Sequence, residues 1–486
     1  MSNSVLEKKK FVKNSFFNVL YRVMNLVFPL VTTVYISHIL RADGVGKVSA
    51  AQNFVQYFVL LAPLGLSNYG TREIAKIRNN KKKTDKLFTE LFLINFSSTT
   101  ICVIAYYGLI GFNTFFIHDK ILYLVSGLPI IFNYINIEWF YQGNEDYVYI
   151  ALRSIIVKFI SVIAIIVFVR RANDYLVYAL IYALGIVGNN VFNILNLNKT
   201  GIKLDFHSIS LRKHMAPVLI LLCSNIAVEL YTLLDTSMLN FMCSDEVVGY
   251  YTNSIKLVKM VVSLITAIGG VLLPRLSYYR SQKMYEECNQ LISNVTKVML
   301  FFCIPSGIGV FLLADKFVLL LFGKTFLPAV LTVKIGTMII YVLGFSNLFG
   351  TQVLLTYNKE KELLMCTCVG AVSNVIMNSF LIPHFQQNGA IVASVISECI
   401  VTYMTIKFSK KIVEIKIGLN YWIQILTACC GMGMFVILVR KLVNEKLICI
   451  IVSVIIGGLL YLLLSLLLKN EIMIYIKKFL QRKKRG

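Results

Sequence analysis

The chain has 486 residues, 57% apolar and only 15% charged, with a mean hydropathy of +0.73. So little charge cannot cover a water-soluble protein of this length, which excludes a soluble enzyme and points to lipid as the solvent. The net charge of +24 falls mostly between hydrophobic runs, where it orients a chain in a membrane rather than binding nucleic acid.

A bilayer core needs about 20 apolar residues per helix, and reading apolar runs against polar breaks predicts about fourteen spans. The start, Met1 to Lys13, is basic and leads into the first span without a small-residue cleavage site. The first six spans cover 14–40, 46–69, 87–112, 121–142, 147–169 and 175–197. The next six cover 214–242, 247–273, 291–314, 327–355, 363–383 and 388–408, and the last two 420–439 and 447–468. The stretch from Lys316 to Phe326 reads as either a re-entrant segment or a loop.

No connecting segment exceeds roughly twenty residues, which leaves no room for a nucleotide-binding domain or a large catalytic loop. Gly323-Lys324-Thr325 imitates the end of a phosphate-binding loop, but the spacing requires Gly at position 318, which is Val. The eleven Cys are scattered through apolar runs, and neither Cys366-x-Cys368 nor Cys429-Cys430 has partners at metal-ligand spacing. No cofactor or metal is expected, and no catalytic residue.

With both termini placed in the cytoplasm, the cytoplasmic segments hold about 32 Lys and Arg and the opposite side about 10. About six remain within spans. The strongest bias lies in Arg72 to Lys86 and Lys469 to Arg485. A shift of 203 residues places Val45-Gly46 on Val248-Gly249 and Arg72 on Arg275. Such a repeat of six spans predicts two like-oriented lobes with a cavity between them. The expected division is an N-lobe over 1–200, a C-lobe over 201–412, and two added spans with a basic tail over 413–486.

Charged side chains at bilayer depth are costly and usually face a cavity or a partner. The basic ones are Arg22, Lys158, Lys256, Lys259, Lys297 and Lys334; the acidic ones are Glu138, Glu229, Asp235 and Glu398. Helical spacing aligns them with polar neighbours: Asn14, Asn18, Arg22 and Asn25 in span 1, and Thr252, Lys256, Lys259 and Ser263 in span 8. Asn225, Glu229, Thr232 and Thr236 form a third stripe in span 7, with Asp235 beside it. Lys297 and Lys334 lie near span ends, where they can snorkel. Glu138 and Glu398 read as ion-paired or interfacial. Arg22, Lys158, Lys256 and Lys259 form a cationic set suited to an anionic, phosphate-bearing substrate. Glu229 and Asp235 are open to two roles, proton or ion coupling and pairing with the lysines.

Several segments together resemble the bacterial polysaccharide flippases of the Wzx type, in the multidrug/oligosaccharidyl-lipid/polysaccharide exporter superfamily. They are Arg41 to Lys47, Gln52 to Gly65, Tyr69 to Lys76, Glu138 to Gly143, Val248 to Lys256, Pro274 to Ser277, Leu321 to Gly323, and Gly389-Ala390. The resemblance runs in order through span 12. It implies an all-α integral membrane fold like that of the MATE transporters, with two six-helix lobes around a central cavity plus two C-terminal helices. It also implies a bacterial inner-membrane location and translocation of undecaprenyl-pyrophosphate-linked oligosaccharide from the cytoplasmic to the periplasmic leaflet, by rocking of the lobes. The implied partners are that lipid-linked oligosaccharide and membrane lipid, with polysaccharide polymerase and chain-length proteins as further candidates.

The alternative within the same fold is a multidrug or organic-cation antiporter, which would favour carboxylates where span 1 offers Arg22. A membrane-embedded polymerase or ligase would need a long external loop bearing Arg and His, and the chain has none.

Overall fold

The computed structural model describes residues 2–207, 209–269, 276, 279–280, 282–414 and 417–474. Side chains are described for these except 2–16, 18–20, 22–23, 25–27, 223–225, 227–228, 230–232 and 267–269. The described chain is helical throughout, with no strand. Eight of its helices are long and apolar enough to cross a membrane, which makes it a multi-pass membrane protein. Large apolar side chains such as Ile101, Ile104 and Phe380 are left exposed, the inverse of a soluble surface and the arrangement lipid requires. The chain divides into two compact units, residues 1–237 and 238–486.

In the first unit, α1 (Ser2–Leu61) holds both of the first two predicted spans in one rod, kinked at Arg41, whose φ of 59° is non-helical. Beyond the kink Asp43 pairs with Lys47 at 3.3 Å, and Val45, Val48 and Ala51 are buried. The short amphipathic α2 (Leu66–Ile77) buries Leu66, Tyr69 and Ile74 and keeps its basic side chains outside. Asn80 then starts α3 (Lys81–Phe112) by accepting the Lys83 N–H at 3.2 Å, the ordinary chemistry of an N-cap.

Residues 121–142, expected as one continuous span, are instead broken. They form α4 (Lys120–Ser126), α5 (Leu128–Ile131), a 3-10 turn Phe132–Ile135 and α6 (Glu138–Gly143). Pro129 withdraws a backbone donor from the first turn of α5. Side chains of α3 add hydrogen bonds to the broken segment: Asn95 donates to the Asn133 carbonyl at 2.6 Å, and Tyr106 to the Tyr123 carbonyl at 2.6 Å. Irregular backbone persists at membrane depth only where protein or a cavity satisfies it. The rods α7 (Tyr147–Phe168), α8 (Tyr175–Thr200) and α9 (Arg212–Met242) follow. A cluster including Leu66, Phe88, Leu91, Trp139, Phe140 and Tyr141 fills the core between α2, α3 and α6.

In the second unit, α10 (Asp245–Gly269) is followed by α11 (Tyr285–Leu321), which runs seven residues past the span end expected at 314. Asp315 does not end the helix because Arg440 neutralises it at 3.0 Å. The rod stops at Gly323, with φ 90°, before a 3-10 turn Lys324–Phe326, so the ambiguous stretch is mostly helix. Next comes α12 (Ala329–Ser346), continued by a π-helical Asn347–Leu354. Two predicted spans again share one rod, α13 (Glu360–Ser409), broken at Gln386, φ 48°. Gly389 is required there, since a Cβ would stand 2.3 Å from the Leu381 carbonyl oxygen.

The last rods, α14 (Leu419–Leu442) and α15 (Lys446–Leu467), pack on α11 through a core that includes Phe301, Tyr421, Met432, Val436 and Tyr461. Within α11, Pro305 has no N–H to give to the carbonyl of Phe301 four residues earlier. The Tyr461 hydroxyl of α15 replaces that donor at 2.8 Å. Tyr421 of α14 likewise donates to the Lys297 carbonyl at 2.6 Å.

Candidate functional site

The broken helix matters because of what it positions. In the first unit it faces α1, α7 and α8 across a cavity of about 410 Å³. Its own contribution is Asn133, Asn136, Glu138, Trp139 and Gln142; α7 adds Lys158 and Ser161, and α8 adds Tyr182, Asn189 and Asn190.

One wall is held by an ion pair. Arg153 of α7 is almost fully buried and donates to Glu138 at 2.8 Å, with further bonds to the Asn189 carbonyl at 3.3 Å and to Asn193 Oδ1. The other Glu138 oxygen accepts from Gln142 at 3.2 Å and Tyr21 at 3.4 Å. A charge this buried is stable only when paired and hydrogen-bonded, so this network fixes the angle at which α6 meets α7. Trp139 can lie where it does because residue 70 is glycine; a Cβ there would stand 2.7 Å from the indole ring. The Tyr69-Gly-Thr-Arg segment of the resemblance thus has a packing reason.

Lys158 lies one turn deeper on α7, half-buried, with its ammonium 5.8 Å from the Phe28 ring centre. Of the cationic set it is the member found in this cavity. Arg22 sits on α1, but its side chain lies outside the described residues, as do Asn14, Asn18 and Asn25 of its stripe. Lys256 and Lys259 belong to α10 in the second unit, both exposed, whereas Thr252 of the same stripe is buried. Glu229 is exposed on α9 and Asp235 is buried. Asp235 neighbours a polar cluster in which Ser237 meets Asn53 at 2.7 Å and Tyr57 at 2.9 Å. Asn225, Thr232 and Arg275 fall outside the described side chains. Lys297, expected to snorkel, is ion-paired with Glu471.

Two buried charged groups within the predicted spans escaped the sequence reading. Arg153 stands so near the start of its span that it counts with the preceding loop, and the i, i+15 spacing to Glu138 carries no helical signal. Glu90 of α3 is fully buried. It accepts from Lys213 at 2.8 Å, His214 at 2.9 Å and the Ser210 N–H at 2.9 Å, tying the α8–α9 connection to α3.

An all-helical membrane fold with a polar cavity among its helices defines a transporter class, and comparisons with known proteins place the chain within it. Residues 11–280 match the family described as "Polysaccharide biosynthesis protein", and the chain belongs to that family. The "Putative O-antigen transporter" of Escherichia coli K12 is 22% identical over 404 residues, covering 80% of this chain and 95% of that protein. The "Lipid II flippase MurJ" of Bacillus subtilis is 28% identical over 180 residues, 35% of this chain and 33% of that one. Among solved structures, a lipid II flippase MurJ in an inward closed conformation aligns with a TM-score of 0.74 at 15% identity, covering 94% of this chain and 99% of that one. An inward-facing multidrug resistance MATE family transporter of the MOP superfamily aligns at 0.62 with 14% identity, covering 78% and 94%. At these identities the structural likeness is one of fold.

Proposed function

We propose that this protein is a flippase that moves undecaprenyl-pyrophosphate-linked oligosaccharide repeat units from the cytoplasmic to the periplasmic leaflet for O-antigen-type surface polysaccharide. The observation that carries the reading is the family match over 11–280 together with similarity along most of both chains to proteins named as O-antigen transporters. A relative named as a glycan biosynthesis flippase in Haloferax volcanii supports it, at 24% identity over 195 residues. The protein is a transporter rather than an enzyme.

In this reading Lys158, Lys256, Lys259 and Arg22 supply cationic character for the pyrophosphate, because a partly desolvated ammonium or guanidinium attracts phosphate strongly. Glu229 and Asp235 serve either ion coupling or pairing with those cations. The inner-membrane location, cytoplasmic termini, division at 200 and 412, and cooperation with polymerase and chain-length proteins belong to the same proposal.

The test follows lipid-linked glycan in cells lacking the gene. Accumulation of undecaprenyl-linked repeat units on the cytoplasmic side with loss of surface polymer is the expected result. Normal surface glycan with new sensitivity to cationic dyes would replace this reading with the antiporter.

A further inference from the structure

The connection between α8 and α9 is tied to α3 by its own backbone. The Lys203 N–H donates to Asp85 Oδ1 at 3.2 Å, the Asp205 N–H to Thr89 Oγ1 at 2.8 Å, and the Ser210 N–H to Glu90 at 2.9 Å. Asp85 and Thr89 stand one turn apart, about 6 Å along the helix, and two extended residues cover about the same length. Residues 203–205 therefore descend α3 in register, from its polar start into the span expected from residue 87.

The side chains on this descent are the reverse of what an aqueous loop needs. Leu204 is 52% exposed and Phe206 59% exposed, and Phe206 follows the residue bonded at the level of Thr89. Lysines surround them. Lys81, Lys82 and Lys83 open α3 and Lys86 follows, while Lys199 and Lys203 flank the end of α8; all are exposed except the half-buried Lys86. The two groups adjoin, since the Lys81 ammonium lies 3.4 Å from where a Cβ at Gly201 would stand.

Nearby carboxylates are spent elsewhere: Asp205 on the N–H and ring of His207, Glu73 on Arg72 and Lys76, and Glu90 on Lys213 and His214. Among the described residues none of the six lysines is in an ion pair. No acidic side chain stands in the first turn of α3, so the cations there add to the positive end of its dipole.

Apolar side chains just below a group of unpaired cations match the headgroup boundary of an anionic membrane. A soluble acidic partner would satisfy the lysines and leave Leu204 and Phe206 unused at the edge of the bilayer. Neutral lipid would cover the apolar pair and leave the cations unmatched. Six separate cations also outnumber the charges of a single pyrophosphate, so the many headgroups of the leaflet are the better match.

We propose that the α8–α9 connection is an interfacial anchor selective for anionic phospholipid. Leu204 and Phe206 enter the upper acyl region, and the lysines around them take headgroups by their net negative charge. The assignment needs no part of the flippase reading.

The full-length protein carrying Phe206→Trp is placed in phosphatidylcholine vesicles containing phosphatidylglycerol. Bromine on the upper acyl chain of either lipid quenches a tryptophan that touches it. The same measurement on the wild-type chain, with its own Trp139 and Trp422, is subtracted. At equal mole fraction, brominated phosphatidylglycerol is expected to quench the added emission several times more than brominated phosphatidylcholine. Lys203→Gln in the same chain is expected to lower that preference by up to about fivefold, the weight of one lysine beside an anionic leaflet. Leu204→Trp repeats the measurement should Phe206→Trp lose the native elution profile.

Equal quenching by the two lipids overturns the selectivity, and no quenching by either overturns the anchor. A preference untouched by Lys203→Gln removes that lysine from the site. Undecaprenyl pyrophosphate, added at a small mole fraction, is the competing source of phosphate and is expected to relieve no quenching. Relief would hand the site to a pyrophosphate lipid and overturn the phospholipid assignment.

Discussion

The wall of the first-unit cavity and the seam where α14 and α15 join α11 use similar side chains to opposite ends. At the seam, Tyr461 and Tyr421 each close on a backbone carbonyl and Arg440 on one Asp315 oxygen, while the other Asp315 oxygen and the Ser453 and Ser465 hydroxyls stay unbonded among packed helices. At the cavity, Arg153 and Glu138 close on each other in the same manner, and the unbonded Asn189 Oδ1 beside them belongs to a residue that lines open space. Buried polar atoms that are satisfied hold helices together. Those left unsatisfied at a cavity wall are open to a ligand, as those inside a packed seam are not.

The largest effect expected from breaking this distinction is at Arg153. Arg153→Ala strands Glu138 without its ion partner, at a cost of about 3 kcal/mol, the low end for a broken buried pair because Glu138 keeps some exposure. Thermal unfolding of the purified protein measures it. The double change Arg153→Met with Glu138→Gln is expected to recover much of the loss. If the single change is silent, the ion pair does not hold the cavity wall.

A middle-sized effect tests the seam. Tyr461→Phe leaves the Phe301 carbonyl without a donor and is expected to cost about 1–2 kcal/mol. In a Pro305→Ala background the helix regains its own N–H, so the same change is expected to cost measurably less. Equal costs in both backgrounds, compared by a double-mutant cycle, would mean that the hydroxyl is not standing in for proline's missing donor.

The smallest effect is the most diagnostic. Asn189→Leu removes an oxygen that bonds nothing in the protein and an amide N–H bonded only to the Gly185 carbonyl of its own helix, and is expected to change stability by no more than about 1 kcal/mol. Glycan transport through the same variant is expected to fall severalfold. A large loss of stability would show that Asn189 belongs with the structural group after all.

Much of this molecule was legible from hydrophobicity alone. Runs such as Leu447 to Leu468 can only be membrane helices, and Lys158 announced itself as a cation far from any span end. Glu138 read as ion-paired or interfacial, and the structure shows the pair, with Arg153, a partner the sequence did not reveal. Where the sequence misled, the reason was that apolar composition does not report backbone continuity. Residues 121–142 are hydrophobic enough for one span, yet Pro129 and the asparagines at 133 and 136 divide them. The cavity follows from that division, so it could not be drawn before the break was known. Arg41 and Gln386 mislead less, because a kink leaves both halves helical and each still reads as a span. Glu90 was hidden differently: its partners lie 120 to 124 positions away, at Ser210, Lys213 and His214.

The proline at 305 has a consequence for biogenesis. A ribosome feeding this chain into a membrane delivers α11 with one carbonyl that its own helix cannot satisfy. The hydroxyl that will satisfy it is encoded 160 residues later, in α15. Until that segment is made, α11 carries an open polar group at membrane depth. The segment carrying Tyr461 therefore completes the hydrogen bonding of a helix laid down long before, and α11 is finished only when that segment arrives.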